Sequence, residues 1–154
     1  MNTSTLAGST IQGICTFACE PVHPAWADAN TTPIATSMAV LELSDGRLFL
    51  VAPREVNLES SAYPALGLGV SECGPEARQW HAPSGKTHVM EALSFVESLL
   101  PLSVESIQES DPLGEGAVSE LSFVSSNGAW IVFRHIMPPM TLGIDFSQPG
   151  QAPN

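Results

Sequence analysis

The order of elements along the chain predicts an α+β domain: a mostly antiparallel sheet built from two β-hairpins and packed against one principal amphipathic helix. Three observations predict it. One pair of apolar runs flanks Asp45-Gly46 and another flanks Asn127-Gly128, dipeptides favoured in two-residue hairpin turns. Residues 87–100 carry apolar side chains at helical spacing.

At 154 residues the chain fits one domain. Residues 1–10 and 147–154 are small, polar and rich in Pro or Gly, so they are expected to be disordered tails around a single domain at 11–146. In the stretch MAVLELSDGRLFLVAP, a two-residue turn at Asp45-Gly46 sets Leu43 opposite Leu48 and Leu41 opposite Leu50 on one face. Glu42 then faces Phe49 and Val40 faces Val51 on the other. Both faces are largely apolar, which puts this hairpin inside the sheet.

Residues 53–83 carry prolines at 53, 64, 75 and 83 and read as a long irregular connection, with ALGLGVSE as its one short strand. In residues 87–100, Val89, Ala92, Leu93, Val96, Leu99 and Leu100 share one helical face opposite Glu91, Ser94, Glu97 and Ser98. Pro101 stops the expected helix. LSVESIQES then reads as a strand, DPLGEG as an acidic turn, and residues 117–137 as a second hairpin around Asn127-Gly128. TLGIDF adds an edge strand.

Charge narrows the function classes. Sixteen Asp and Glu face five Lys and Arg, a formal net charge of -11, and Lys86 is the single lysine. A field of that sign repels nucleic acid and anionic membrane surfaces and attracts cationic proteins. No apolar run reaches the length of a membrane span, and the amino terminus lacks the basic region of a secretory signal, so a cytoplasmic protein is expected. Three cysteines are too few for a disulfide framework.

Four groups of residues are candidates for chemistry. Gly85, Lys86 and Thr87 match the end of a phosphate-binding loop, but the position of its first glycine holds Trp80. The segment is therefore read as the start of the helix, and no cofactor is expected. Cys15, Cys19 and His23 are spaced by four, yet they form one C-x₃-C pair and not the matched set of a structural zinc site. The two-residue turn at Asn127-Gly128 sets Glu120 opposite His135, a pair suited either to structural ion pairing or to acid–base chemistry, with no nucleophile beside it. The remaining group is a run of carboxylates, Glu105, Glu109, Asp111 and Glu115, with no basic residue between Lys86 and Arg134. It lacks the alternating ligand spacing of a calcium loop.

These readings rank first a small acidic protein-binding module, of the inhibitor or immunity type, that masks a basic partner such as a nuclease toxin through Glu105, Glu109, Asp111 and Glu115. Second comes an adaptor subunit of a larger assembly that buries exposed apolar residues such as Trp80, Trp130 or Met140. Third is an enzyme built on Glu120 and His135.

Overall fold

The two hairpins expected around Asp45-Gly46 and Asn127-Gly128 both form, each one residue out of the expected register. The computed structural model describes residues 5–18, 20–21 and 34–148. Strands β4 (Ala39–Leu43) and β5 (Leu48–Val56) pair Leu41 with Phe49 and Val40 with Leu50. The turn has three residues, not two. Leu43 N–H donates to Arg47 C=O, Gly46 N–H donates to Leu43 C=O, and Gly46 closes the loop at φ 92°. This is a type I turn completed by a left-handed glycine, the commonest three-residue hairpin loop. The Asp45 carboxylate accepts from Arg47 N–H at 3.0 Å and so favours the wider loop.

The other hairpin, β11 (Glu120–Ser125) and β12 (Trp130–Ile136), repeats this chemistry. Gly128 lies at φ 89°, and Asn127 Oδ1 accepts from Ala129 N–H at 2.9 Å. A third copy overlaps the start of the expected helix. β7 (Gln79–His81) pairs with β8 (Thr87–Val89) across a loop of Pro83, Ser84 and Gly85, with Gly85 at φ 90°.

No α-helix occurs among the described residues, and the α+β expectation gives way to an antiparallel β fold. Residues 87–100 divide into β8, β9 (Glu91–Ala92) and a 3₁₀ segment at Ser94–Leu99. Two physical reasons account for this. Leu93 N–H donates to Ile14 C=O on β1 (Thr10–Thr16), and Met90 N–H donates to Arg78 C=O, so these amides are taken by tertiary partners and are not available to helical carbonyls. The buried residues Leu93, Val96 and Leu99 recur every three positions, the period of a 3₁₀ turn, while Val89 and Ala92 are exposed.

One sheet of eleven antiparallel strands organises the chain. Its order runs from β2 (Glu20–Pro21) through β3 (Ile34–Thr36), β13 (Thr141–Ser147), β12, β11 and β10 (Leu102–Ser110) to β1, β4, β5 and β6 (Ala65–Cys73), with β9 beside β1. The expected edge strand TLGIDF is thus interior, between β12 and β3. The expected irregular connection is also shorter, because β5 continues through Pro53 to Val56 and pairs with β6 over nine positions. Pro53 faces Leu68, whose N–H points away from β5 to Val118 C=O, so this is a non-hydrogen-bonded pair that takes nothing from Pro53.

The sheet folds back on itself. Ile11, Leu41, Val51 and Leu68 of one half meet Leu121, Phe123, Phe133 and Ile144 of the other, with Phe123 and Phe133 edge to face at 5.6 Å. Residues 1–4 and 149–154 of the expected tails lie outside the described residues. Residues 5–10 pack on the sheet: Leu6 is 1% exposed, and Gly8 N–H donates to Val104 C=O.

Candidate functional site

The carboxylates expected to meet a partner sit on β10 and the loop that follows it. Glu105, Glu109, Asp111 and Glu115 are all exposed, as charged side chains usually are. Two of them also build the loop. Asp111 accepts from the N–H groups of Gly114, Glu115 and Gly116 at 3.0, 3.3 and 2.8 Å, an arrangement that allows the backbone to turn through two positive-φ glycines. Glu115 Oε1 accepts from Leu66 N–H on β6 at 2.9 Å. Glu105 and Glu109 lie on β10, outside the loop that Asp111 and Glu115 build, and are exposed to an outside partner.

The expected Glu120–His135 pair does not form. The three-residue turn moves the register by one, so Glu120 lies opposite Arg134 and the two side chains meet at 3.1 Å. Asp145, on β13, approaches the same guanidinium at 3.9 Å. One largely buried cation thus serves two acids, a neutralising arrangement in the sheet and not an acid–base dyad. His135 points the other way and is 2% exposed. Its Nε2 accepts from Met140 N–H at 2.8 Å, so Nδ1 carries the proton and donates to Gly67 C=O at 2.8 Å. Its own N–H donates to Ser119 C=O. The ring ties β6 to the β12–β13 turn, and the backbone amide of His135 holds the end of the acidic connection.

Gly85, Lys86 and Thr87 belong to the β7–β8 turn, where no helix N-terminus offers amides to a phosphate. Cys19 and His23 lie outside the described residues. Cys15 is partly buried with its Sγ 3.8 Å from Met90 Sδ. Burial pushes the thiols of Cys15 and Cys73 above their ordinary range, against the pull of Arg78.

A second surface emerges that the helix expectation had hidden. Between the β7–β8 arm, the end of β1, the β3–β4 turn and Met140 lies an open groove of about 1240 Å³. Trp80 and His88, cross-strand partners, stack with ring centroids 5.1 Å apart. Trp80 is 53% exposed, Val89 58% and Met140 47%, and all three line the groove. Trp130, expected with them at the surface, is instead buried. In the sequence, the signal for this groove was Trp-His and Thr-His at mirrored positions around Pro-Ser-Gly, which a helical reading of residues 87–100 masks.

Set against protein-family models, curated proteins and solved structures, the chain matches none of them. No helix of the described residues is long and apolar enough to cross a membrane.

Proposed function

We propose that this chain is a small acidic protein-binding module that masks a basic partner. The observation that supports this reading is the imbalance of accessible charge. Of the five cationic side chains, Arg134 is buried between two acids and Arg47 pairs with Asp45 at 2.8 Å, which leaves Arg54, Arg78 and Lys86. Against them stand exposed carboxylates on β5, β6 and β10 and in the acidic loop, Glu105 and Glu109 among them. Such a surface accelerates encounter with a cationic protein and repels acidic ones.

The test begins with a photo-reactive side chain at Ser106, exposed on β10 next to Glu105 in the chain, in cells of the source organism. A basic protein should crosslink there. Its association with purified wild type and with the Glu105→Gln/Glu109→Gln variant is then timed at low and high salt. The variant should associate about two- to tenfold more slowly at low salt, with the difference vanishing at high salt. An acidic or neutral crosslinked protein, or equal rates at every salt concentration, would sink the reading.

The adaptor reading draws support from the apolar groove, because exposed aromatic and methionine side chains gathered on one surface are typical of interfaces. The enzyme reading loses the Glu120–His135 dyad on which it stood.

A further inference from the structure

We propose that the groove beside the β7–β8 arm is the docking site for a short apolar segment of a protein partner that carries one lysine or arginine. The inference rests on the reading of the chain as a module for a basic partner, and it adds the place and the chemistry of the contact.

The groove's lining sets exposed apolar side chains among polar ones such as Ser37, Gln79, Glu91 and Ser94. Five large hydrophobic residues are well exposed among the described residues, and three of them, Trp80, Val89 and Met140, line this one surface. Large apolar side chains left exposed along one groove are costly to keep in water and mark an interaction site.

Met140 sharpens the inference. It is the one non-glycine residue among those described with a positive φ, 69°, a conformation that glycine adopts at no steric cost and a side chain does not. The backbone is held there by the Met140 N–H bond to His135 Nε2. Strain of this sort, kept at an exposed thioether in a groove wall, points to use of the side chain, and methionine adapts readily to varied apolar partners.

Charge identifies the occupant. Among the described residues, Glu91 is the only carboxylate lining the groove, and no lysine or arginine lines it. The half-exposed Trp80 ring offers a π face to a cation. A segment with one cation thus finds both a counter-charge and an aromatic surface. A second copy of this chain would bring another net charge of -11 to the same place and be repelled.

The experiment uses the full chain, isotopically labelled, with three synthetic peptides of alternating leucine and methionine around a central arginine, citrulline or glutamate. Citrulline keeps the shape of arginine and removes its charge. The arginine peptide should shift the resonances of Trp80, Val89, Glu91 and Met140, and bind about three- to tenfold more tightly than the citrulline peptide. The glutamate peptide should bind weakest. Glu91→Gln should reduce the preference for arginine over citrulline about threefold or more. Met140→Gly should weaken all three peptides while the melting temperature holds or rises, since glycine relieves the φ strain, so lost binding cannot be ascribed to unfolding.

Shifts elsewhere on the chain, no shifts at all, or an arginine preference untouched by Glu91→Gln would overturn the proposal. So would the same shifts appearing with protein concentration and no peptide, which would make a second copy the occupant. The two readings fail separately. If Glu105→Gln/Glu109→Gln slows association with a basic protein but no peptide enters the groove, the groove is not the docking site. If peptides bind and the β10 variant has no effect, the groove stands and β10 plays no part.

Discussion

Arg134 is the residue on which most of the buried charge depends. It sits at 3.1 Å from the partly buried Glu120 and 3.9 Å from the buried Asp145, and its removal takes this cation from both carboxylates. Arg134→Ala should therefore cost about 3–5 kcal/mol in urea denaturation, the range for breaking a buried ion pair by removing one partner. A double-mutant cycle on Glu120 and Arg134 should be non-additive by about 0.5–3 kcal/mol, whereas one on Glu120 and His135 should be additive within about 0.5 kcal/mol. His135 acts through neutral hydrogen bonds. Its replacement by alanine orphans Met140 N–H, takes one donor from Gly67 C=O and leaves a void, a loss of about 2–5 kcal/mol by the same measurement. Asp45 carries a pH dependence. The Arg47 amide and guanidinium hold its carboxyl below the ordinary 3.8, so its contribution is present above that pH and is lost as pH falls through the lower folded value. Melting temperatures of wild type and Asp45→Asn should thus differ at neutral pH and converge at strongly acidic pH. For the two partly buried cysteines, raised thiol pKa values mean protonated sulfur at neutral pH. In a Cys19→Ser background, alkylation should be slower than for a free thiol and should rise only in alkali.

Three hairpins share one turn, and that turn decides what the rest of each element does. Gly46, Gly85 and Gly128 lie at φ 92°, 90° and 89° as the third residue of three-residue loops. A Cβ at any of them meets the steric cost of the left-handed region, about 1–2 kcal/mol. The consequence depends on where the hairpin sits. β4–β5 and β11–β12 contribute Leu41, Val51, Phe123 and Phe133 to the core, so Gly46→Ala and Gly128→Ala should lower global stability by about that amount. β7–β8 is an arm of mostly exposed residues. Gly85→Ala should leave global unfolding nearly unchanged and should instead speed amide exchange in residues 79–89. Equal losses in denaturation for all three variants would mean that the arm is part of the cooperative unit. The same turn explains the register error at Glu120: Asn127-Gly128 is equally compatible with two- and three-residue loops, and one residue of difference reverses every side chain on the strand.

At the scale of the whole molecule, a folded-over sheet separates what the charges do from what the core does. The acidic surface is added to a fold that does not need most of it. Glu105→Gln/Glu109→Gln should leave the melting temperature within about 1 °C of wild type, since exposed carboxylates contribute little to folding. Asp111→Asn is different, because its carboxylate holds three backbone N–H groups of the loop, and it should lower stability by about 1 kcal/mol. Hydrogen exchange should localise that loss to residues 111–119. These variants separate an acidic residue that acts on a partner from one that acts on its own chain.

Local patterns in the sequence determined a good deal. Alternating apolar residues bounded by Asp-Gly and Asn-Gly placed four of the strands, and the excess of carboxylates placed the charge on β10 and its loop, because both depend on neighbours a few residues away. Apolar spacing in residues 87–100 could not choose between an α-helix and the strands and 3₁₀ turn that form, since Leu93, Val96 and Leu99 suit either. Pairing of the Leu93 and Met90 amides with Ile14 and Arg78 settled that choice, and only the tertiary fold brings those carbonyls near. Tertiary structure alone likewise put Arg134 between Glu120 and Asp145, sealed His135 against Gly67, and assembled Trp80, Glu91 and Met140 around one groove. Each of these joins residues from different strands of the folded sheet, and such contacts follow from register and from the fold of the sheet, which no short stretch of residues encodes.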